Sequence, residues 1–338
     1  MHKKYSKKYT FIKKLSKAAV MLALIMIMIA PASGCHNIDF SLPFYTMTPR
    51  RTSRPKSTVN ATSSPSENRD YNETEKPQST ADVTIGDGTL EVHFINVGQG
   101  DSIFIRQGDK TMLIDAGERD QGTVVTKYLN KLHIDNIDYL VGTHPHSDHI
   151  GGLATVIKSI PVDNAIIPDI EHDTKTYENF IVALLDKEIE TFPAEAGDTY
   201  SLGDAEFKIL APVRDDYEDL NNWSVVIKLT YGEKSFLFTG DAESLAETDI
   251  INSGYDLSAD VLKVGHHGSA TSSTLKFLKK VSPEYGIISC GVDNSYGHPD
   301  PIITKRLANM KITTYSTHTV GTVIVTSDGK TIEIKTEK

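Results

Sequence analysis

His144, His146, Asp148 and His149 crowd into the run Thr143-His144-Pro145-His146-Ser147-Asp148-His149. Imidazole nitrogen and carboxylate oxygen hold borderline divalent metals at about 2.0–2.2 Å, so this donor set at this spacing suits a zinc-like ion. The competing reading is a polar loop that happens to carry histidines. Position favours the first. The apolar stretch 137–141 before the run is expected to be a buried strand, and residues 150–160 after it read as a helix opened by glycines. Side chains on such a strand-to-helix loop can converge on one point.

Two further stretches repeat that design. Phe236-Leu237-Phe238-Thr239-Gly240 leads to Asp241, either the cap of a following helix or a carboxylate bridging two metals. Val261-Leu262-Lys263-Val264 leads to His266 and His267, flanked by Gly265 and Gly268, which let the backbone approach closely. His298, in Gly297-His298-Pro299, is a substrate contact, a support for a ligand, or a turn histidine. Asp101 and Asp115 close short apolar strands. Such carboxylates orient metal-bound imidazoles through the far ring nitrogen, or serve only as turn residues. His93, His133, His172 and His318 read as structural or solvent-facing.

The elements that must position these residues follow from hydrophobic period. Residues 90–97 alternate as a half-buried strand, 98–101 turn it, and 102–106 with 111–115 continue as a hairpin. Helical spacing is expected at 124–132, 176–187, 242–252, 273–280 and 301–309. Strands are expected at 207–210, 224–230, 235–238, 261–264 and 286–289. Strands, then mixed units, then strands again imply two sheets packed face to face with helices outside. No short-period repeat is present.

The chain has 338 residues and a formal net charge of -10, which argues against a broad basic face coating nucleic acid but leaves a local cleft open. Lys3, Lys4, Lys7, Lys8, Lys13, Lys14 and Lys17 precede an uncharged apolar stretch, 18–30, that is short against the roughly 20 residues of a membrane span. Ala32-Ser33-Gly34-Cys35 then resembles the lipobox of bacterial lipoproteins, which implies cleavage before Cys35 and lipid attachment there. A plain secretory peptide cut nearby is the alternative. Residues 1–34 are therefore expected to be a signal peptide and 35–88 a Ser/Thr/Pro-rich spacer too poor in apolar residues to fold, with a folded region over 89–338. This places the protein at the outer face of the cytoplasmic membrane, lipid-anchored, or secreted if Cys35 is not acylated. With Cys35 acylated, Cys290 has no partner and no intrachain disulfide is expected.

Taken in order, Asp115 in Leu-Ile-Asp-Ala-Gly, the His144–His149 cluster, Asp241 and His266 resemble the motifs of the metallo-β-lactamase superfamily. Asn96-Val97-Gly98-Gln99-Gly100-Asp101-Ser102, Asn221-Asn222-Trp223-Ser224-Val225-Val226, Lys263-Val264-Gly265-His266-His267-Gly268-Ser269 and Asn294-Ser295-Tyr296-Gly297-His298-Pro299 narrow the likeness to ComEC-type hydrolase domains. The resemblance spans 90–338 and implies an α/β fold, the αβ/βα four-layer sandwich, with two divalent metal ions, zinc or manganese. It implies that His144 and His146 hold the first ion, that Asp148, His149 and His266 hold the second, and that Asp241 bridges them. One position departs from the superfamily. A further histidine expected upstream of the bridging Asp is absent, and Asn222 stands in that region. The first ion is then held more weakly, with Asn222 or water completing it.

The implied chemistry is hydrolysis by a metal-activated water. Asp148 is expected to steer the water, and His267 and His298 to hold a phosphoryl or leaving oxygen. The ComEC-type likeness makes a cell-surface phosphodiesterase or nuclease the leading reading, with DNA among the substrates and no stable protein partner. Lys263, Lys276, Lys279 and Lys280 are either a local basic lip or a solvated helix face. Lactone, β-lactam or phosphorylcholine ester hydrolysis, or a non-catalytic binding role, are the alternatives.

Overall fold

The computed structural model describes residues 88–338. The expected signal segment, Cys35 and residues 36–87 of the expected spacer lie outside the described residues. Eight strands form one mixed sheet: β1 (Leu90–Phe94), β2 (Ile103–Gln107), β3 (Lys110–Ile114), β4 (Ile137–Val141), β5 (Val162–Ile167), β6 (Glu190–Pro193), β14 (Val323–Ser327) and β15 (Ile332–Thr336). Their order is β15-β14-β1-β2-β3-β4-β5-β6. Seven more form the second: β7 (Thr199–Leu202), β8 (Ala205–Ala211), β9 (Val226–Tyr231), β10 (Lys234–Phe238), β11 (Val261–Lys263), β12 (Tyr285–Ile288) and β13 (Thr313–Ser316). They run β13-β12-β11-β10-β9-β8-β7.

Strand alternation builds the layers. In β1, Leu90, Val92 and Phe94 turn inward to meet Phe207 and Ile209 of β8 and Phe236 and Phe238 of β10, so one face of each sheet closes a shared core. Burying each such side chain contributes about 1.5–3 kcal/mol. The next residue along points the other way. Phe104 and Leu113 pack under helices α1 (Gly122–Lys131), α3 (Leu153–Ser159) and α4 (Lys175–Asp186) through Val125, Val156 and Phe180. Leu237 and Leu262 pack on the far side under α5 (Ser244–Asn252), α6 (Leu275–Val281) and α7 (Pro301–Asn309) through Ile250, Phe277 and Ile303. The result is the expected αβ/βα sandwich. No helix among the described residues is long and apolar enough to cross a membrane.

Two details differ from the sequence expectation. The helix expected at 150–160 is two pieces, α2 (Ser147–Ile150) and α3, interrupted by Gly151 and Gly152. At Gly152 the chain lies so close to the turn after β3 that an added Cβ would stand 2.2 Å from the Ala116 carbonyl oxygen. Strands β5, β6, β7, β13, β14 and β15 also form outside the expected set, β14 pairing with β1 and β15 with β14 at the sheet's edge. Edge pairing of this kind depends on a distant partner more than on local pattern.

Candidate metal centre

The chemistry-bearing residues sit at the carboxyl ends of strands from both sheets. β3 delivers Asp115, β4 leads into Thr143 through His149, β10 leads to Asp241, and β11 leads to His266 and His267. Parallel pairing of β3 with β4, and of β10 with β11, brings these ends to the same side.

His149 is fully buried. Its Nδ1 lies 2.8 Å from Asp115 Oδ2, and its Nε2 lies 3.2 Å from Asp241 Oδ2 and 3.3 Å from His267 Nε2. His267 mirrors it from the other half of the chain. Its Nδ1 donates to the Ser289 carbonyl at 2.9 Å, and its Nε2 lies 3.2 Å from Asp148 Oδ2 and 3.4 Å from Asp241 Oδ2. Because each Nδ1 gives its hydrogen to an acceptor behind it, a neutral ring presents its Nε2 lone pair forward. Two lone pairs and two carboxylates then converge with no hydrogen among them. A small cation is what such a set fits. Alongside, His144 Nε2 and His146 Nδ1 approach to 3.0 Å, and His144 Nε2 stands 3.9 Å from Asp241 Oδ2. Asp241 Oδ1 is buried without a hydrogen-bond partner among the described residues, an orphan a cation would satisfy.

Electrostatics agree. Burial pulls the His149 and His267 imidazolium ions down, but Asp241 and the neighbouring carboxylates outweigh it and hold both well above the usual histidine range. Burial pushes the Asp241 and Asp148 carboxyls up, and the facing imidazolium charges overcome this and hold both well below the usual range. At Asp115 burial wins and raises the carboxyl, despite His149 and Thr143. His144 lies well below the ordinary range because burial and the His149 charge act together. With the His149 and His267 rings neutral, as a bound cation requires, the Asp101, Asp148 and Asp241 carboxylates face one ammonium, Lys263, and cations offset the remaining negative charge.

The structure brings most of the expected residues together. His144, His146, Asp148, His149 and Asp241 converge through the distances above, and Asp115 and Asp101 stand behind His149 and His267. Three residues differ in placement from expectation, and His266 stands as near the Asp241 carboxylate as His144 does. His267, expected at the leaving oxygen, occupies the buried position facing Asp148. His266, expected in the cation set, keeps its ring 22% exposed, with Nε2 3.7 Å from Asp241 Oδ2 and Nδ1 3.1 Å from Thr271 Oγ1. The backbone decides this: both residues adopt left-handed conformations, φ 50 and φ 54, which cost about 1–3 kcal/mol each. Asn222, expected beside the first ion, directs its amide oxygen to the Glu243 and Ala246 amides at the start of α5. Lys263 takes no part in a basic lip, since it is fully buried against Asp101. Lys276, Lys279 and Lys280 are exposed on α6.

His298 lies at the mouth, its ring centroid 5.5 Å from that of His266. Its backbone N–H and carbonyl are both held by the Asn294 side chain, at 3.0 and 2.6 Å. Tyr296, 69% exposed, stacks on it at 5.7 Å and 21°. Cys290 is buried, its Sγ 3.1 Å from His318 Nδ1, and burial pushes its thiol up.

Sequence reading passed over two hydroxyls. Thr143 donates to Asp115 Oδ2 at 2.7 Å and stands 3.1 Å from His144 Nδ1. Ser224 is fully buried, accepts the Asp241 N–H at 3.0 Å and lies 3.4 Å from His144 Nδ1. Both stand inside motif runs without a role assigned to them, and that position was their only signal.

Comparison with known proteins matches residues 95–292 to the family described as the metallo-beta-lactamase superfamily. ComE operon protein 3 of Bacillus subtilis is 31% identical over 251 residues, covering 69% of this chain and 32% of its own. Competence protein ComA of Neisseria gonorrhoeae is 31% identical over 233 residues, 68% of this chain and 30% of that one. Recombination protein 2 of Haemophilus influenzae is 31% identical over 252 residues, 73% of this chain and 30% of that one. This chain spans about a third of the length of these curated relatives.

Proposed function

The chain belongs to the metallo-β-lactamase superfamily as a metal-dependent hydrolase, and on that premise we propose that its substrates are phosphodiesters, single-stranded DNA among them. The carrying observation is the convergence of the His149 and His267 Nε2 atoms with Asp148 and Asp241 beneath an aromatic rim. Divalent cations held there supply Lewis acidity and an activated water. His149, His267, Asp148 and Asp241 would hold one, and His144 and His146, with Asp241 between, the other. Zinc and manganese are both candidates.

The chain's own groups then orient the reaction. Asp148, held strongly acidic, is a poor proton acceptor at neutral pH, so its role is to accept a hydrogen bond from the incoming water and aim it. His266 and His298 stand half-exposed at the mouth, where an N–H from each reaches a phosphoryl or leaving oxygen. Burial and the two neighbouring imidazoles lower His298, so it meets the ester neutral, as a hydrogen-bond donor. Tyr296 offers an open aromatic face, and base-on-aromatic stacking is a recurring way to hold single strands. The exposed lysines of α6 supply local positive charge on an otherwise acidic protein. Two of the relatives carry competence or recombination in their names, and recombination is a transaction of nucleic acid. The basic amino terminus and Ala-Ser-Gly-Cys sequence support export and acylation at Cys35, with the Ser/Thr/Pro-rich stretch 35–88 as a spacer before the hydrolase domain.

The test is an assay of the full chain loaded with zinc or manganese, on bis-p-nitrophenyl phosphate and single-stranded DNA, with a chelator control. A lactone and a β-lactam serve as comparison substrates. Metal-dependent diester cleavage supports the proposal. Turnover confined to the lactone or β-lactam sinks the substrate class and keeps the centre.

A further inference from the structure

Lys263 ends β11 inside the molecule, with none of its side chain exposed. A buried ammonium persists only where a partner compensates its lost hydration. Here Nζ reaches Asp101 Oδ2 at 2.7 Å and the Val264 carbonyl at 3.0 Å. Asp101 is equally enclosed. Its second oxygen, Oδ1, has no hydrogen-bond partner among the described residues and lies 3.5 Å from His267 Nδ1.

Asp101 also touches the other half of the centre. Its N–H donates to the Asp148 carbonyl at 3.1 Å. Gly100 beside it is pressed against that same carbonyl, where an added Cβ would come within 2.1 Å of the oxygen. Residues 100–101 thus join the Asp148 segment to His267. The carboxylate they carry is near enough to bind a cation itself: one ligand atom each from Asp101, His149, Asp241 and His267 lie within 4.8 Å of one another. The equivalent carboxylate behind His149 is Asp115, and it is held differently, by the Thr143 N–H at 2.9 Å and hydroxyl at 2.7 Å, both neutral donors. Only the carboxylate behind His267 has a fixed positive charge on it.

We infer that Lys263 is a positioning residue that pins Asp101 behind His267 and so withholds it from the cation set. The inference rests on the cation-binding part of the reading above and is independent of the substrate. Without the ammonium, Asp101 is an unpaired buried carboxylate beside a divalent ion, and electrostatics draw it forward into the ligand set. That adds an oxygen ligand and removes the negative charge 3.5 Å behind His267 Nδ1, whose hydrogen the Ser289 carbonyl accepts.

The test uses cobalt(II) as the probe, on the full chain, read by its visible spectrum and by chelator competition. In Lys263→Met the cobalt bands weaken, as a higher coordination number requires, and affinity does not fall. In the double variant Lys263→Met/Asp101→Asn the released carboxylate is gone. The bands return to the wild-type shape, and affinity falls about 10–100-fold because His267 has lost its charged support. A wild-type spectrum in Lys263→Met overturns the inference. Should the single variant not fold, the double variant, which removes the charge pair as a unit, decides: unchanged affinity overturns it. Wild-type protein that takes up no cobalt overturns both this and the cation reading, whereas cobalt uptake without diester cleavage sinks only the substrate proposal.

Discussion

The Nε2 atoms of His149 and His267, carried by segments 118 residues apart in sequence, face each other at 3.3 Å beside the buried Asp241 carboxylate. Cation-free, that arrangement is stabilised by protons. Each ring has a folded pKa well above its ordinary value of 6.5. A raised histidine contributes stability that is fully present below its unfolded pKa and is lost as pH rises through the folded one. His144 and His146 are shifted the other way, so they weaken the fold only on the acid side of 6.5. The cation-free protein should therefore melt at progressively lower temperature as pH climbs from about 6.5. Manganese or zinc should reverse the loss by taking the protons' place. Calorimetry at several pH values, with and without ion, checks this; a flat cation-free profile would contradict it.

The neighbouring histidines should separate in mutagenesis. His267→Ala should lower both the number of ions bound and turnover to background. His266→Ala, a partly exposed ring at the mouth, should keep the ions and lose about 100-fold in turnover. Metal counting beside steady-state rates distinguishes them, and equal metal loss in both would reject the assignment. Asp241→Asn should abolish turnover with circular dichroism largely unchanged.

Ser224→Ala removes the acceptor of the Asp241 N–H from a fully buried position. A buried donor left unsatisfied costs about 1–3 kcal/mol, which urea unfolding would read. Displacing Asp241 should also weaken ion binding by about 10–100-fold, the range seen when a ligand's supporting hydrogen bond is lost. Stability and affinity both equal to wild type would show that Ser224 holds nothing.

Tyr296→Ala should raise KM for single-stranded DNA by about tenfold, and Tyr296→Phe should restore it, because stacking needs the ring and not the hydroxyl. An alanine variant with unchanged KM removes the aromatic rim from the substrate proposal.

How much of this was legible beforehand depends on how far apart the interacting groups lie along the chain. His144, His146, Asp148 and His149 were visible as a donor set because a single loop carries them, and local spacing alone lets them converge. Alternation in 90–97 and the apolar run 236–238 announced strands, and so the layered fold, although β1 is buried along its whole length where the alternation implied a half-buried strand. Adjacent residues such as His266 and His267 were not separable by type. With left-handed backbone at both, one ring turns inward and the other stays partly exposed. Lys263 read as a surface charge because lysine usually is one; only the meeting of β11 with the loop after β1 supplies the buried carboxylate that holds it. Asn222 read as a metal neighbour until the fold gave its oxygen two helix amides. Sequence by itself determined which chemistry was on offer, since donor types and local spacing are written in it. Tertiary structure decided which of those donors face the centre and which charges are neutralised behind it, because side-chain direction and burial depend on backbone angles and partners far away in the chain.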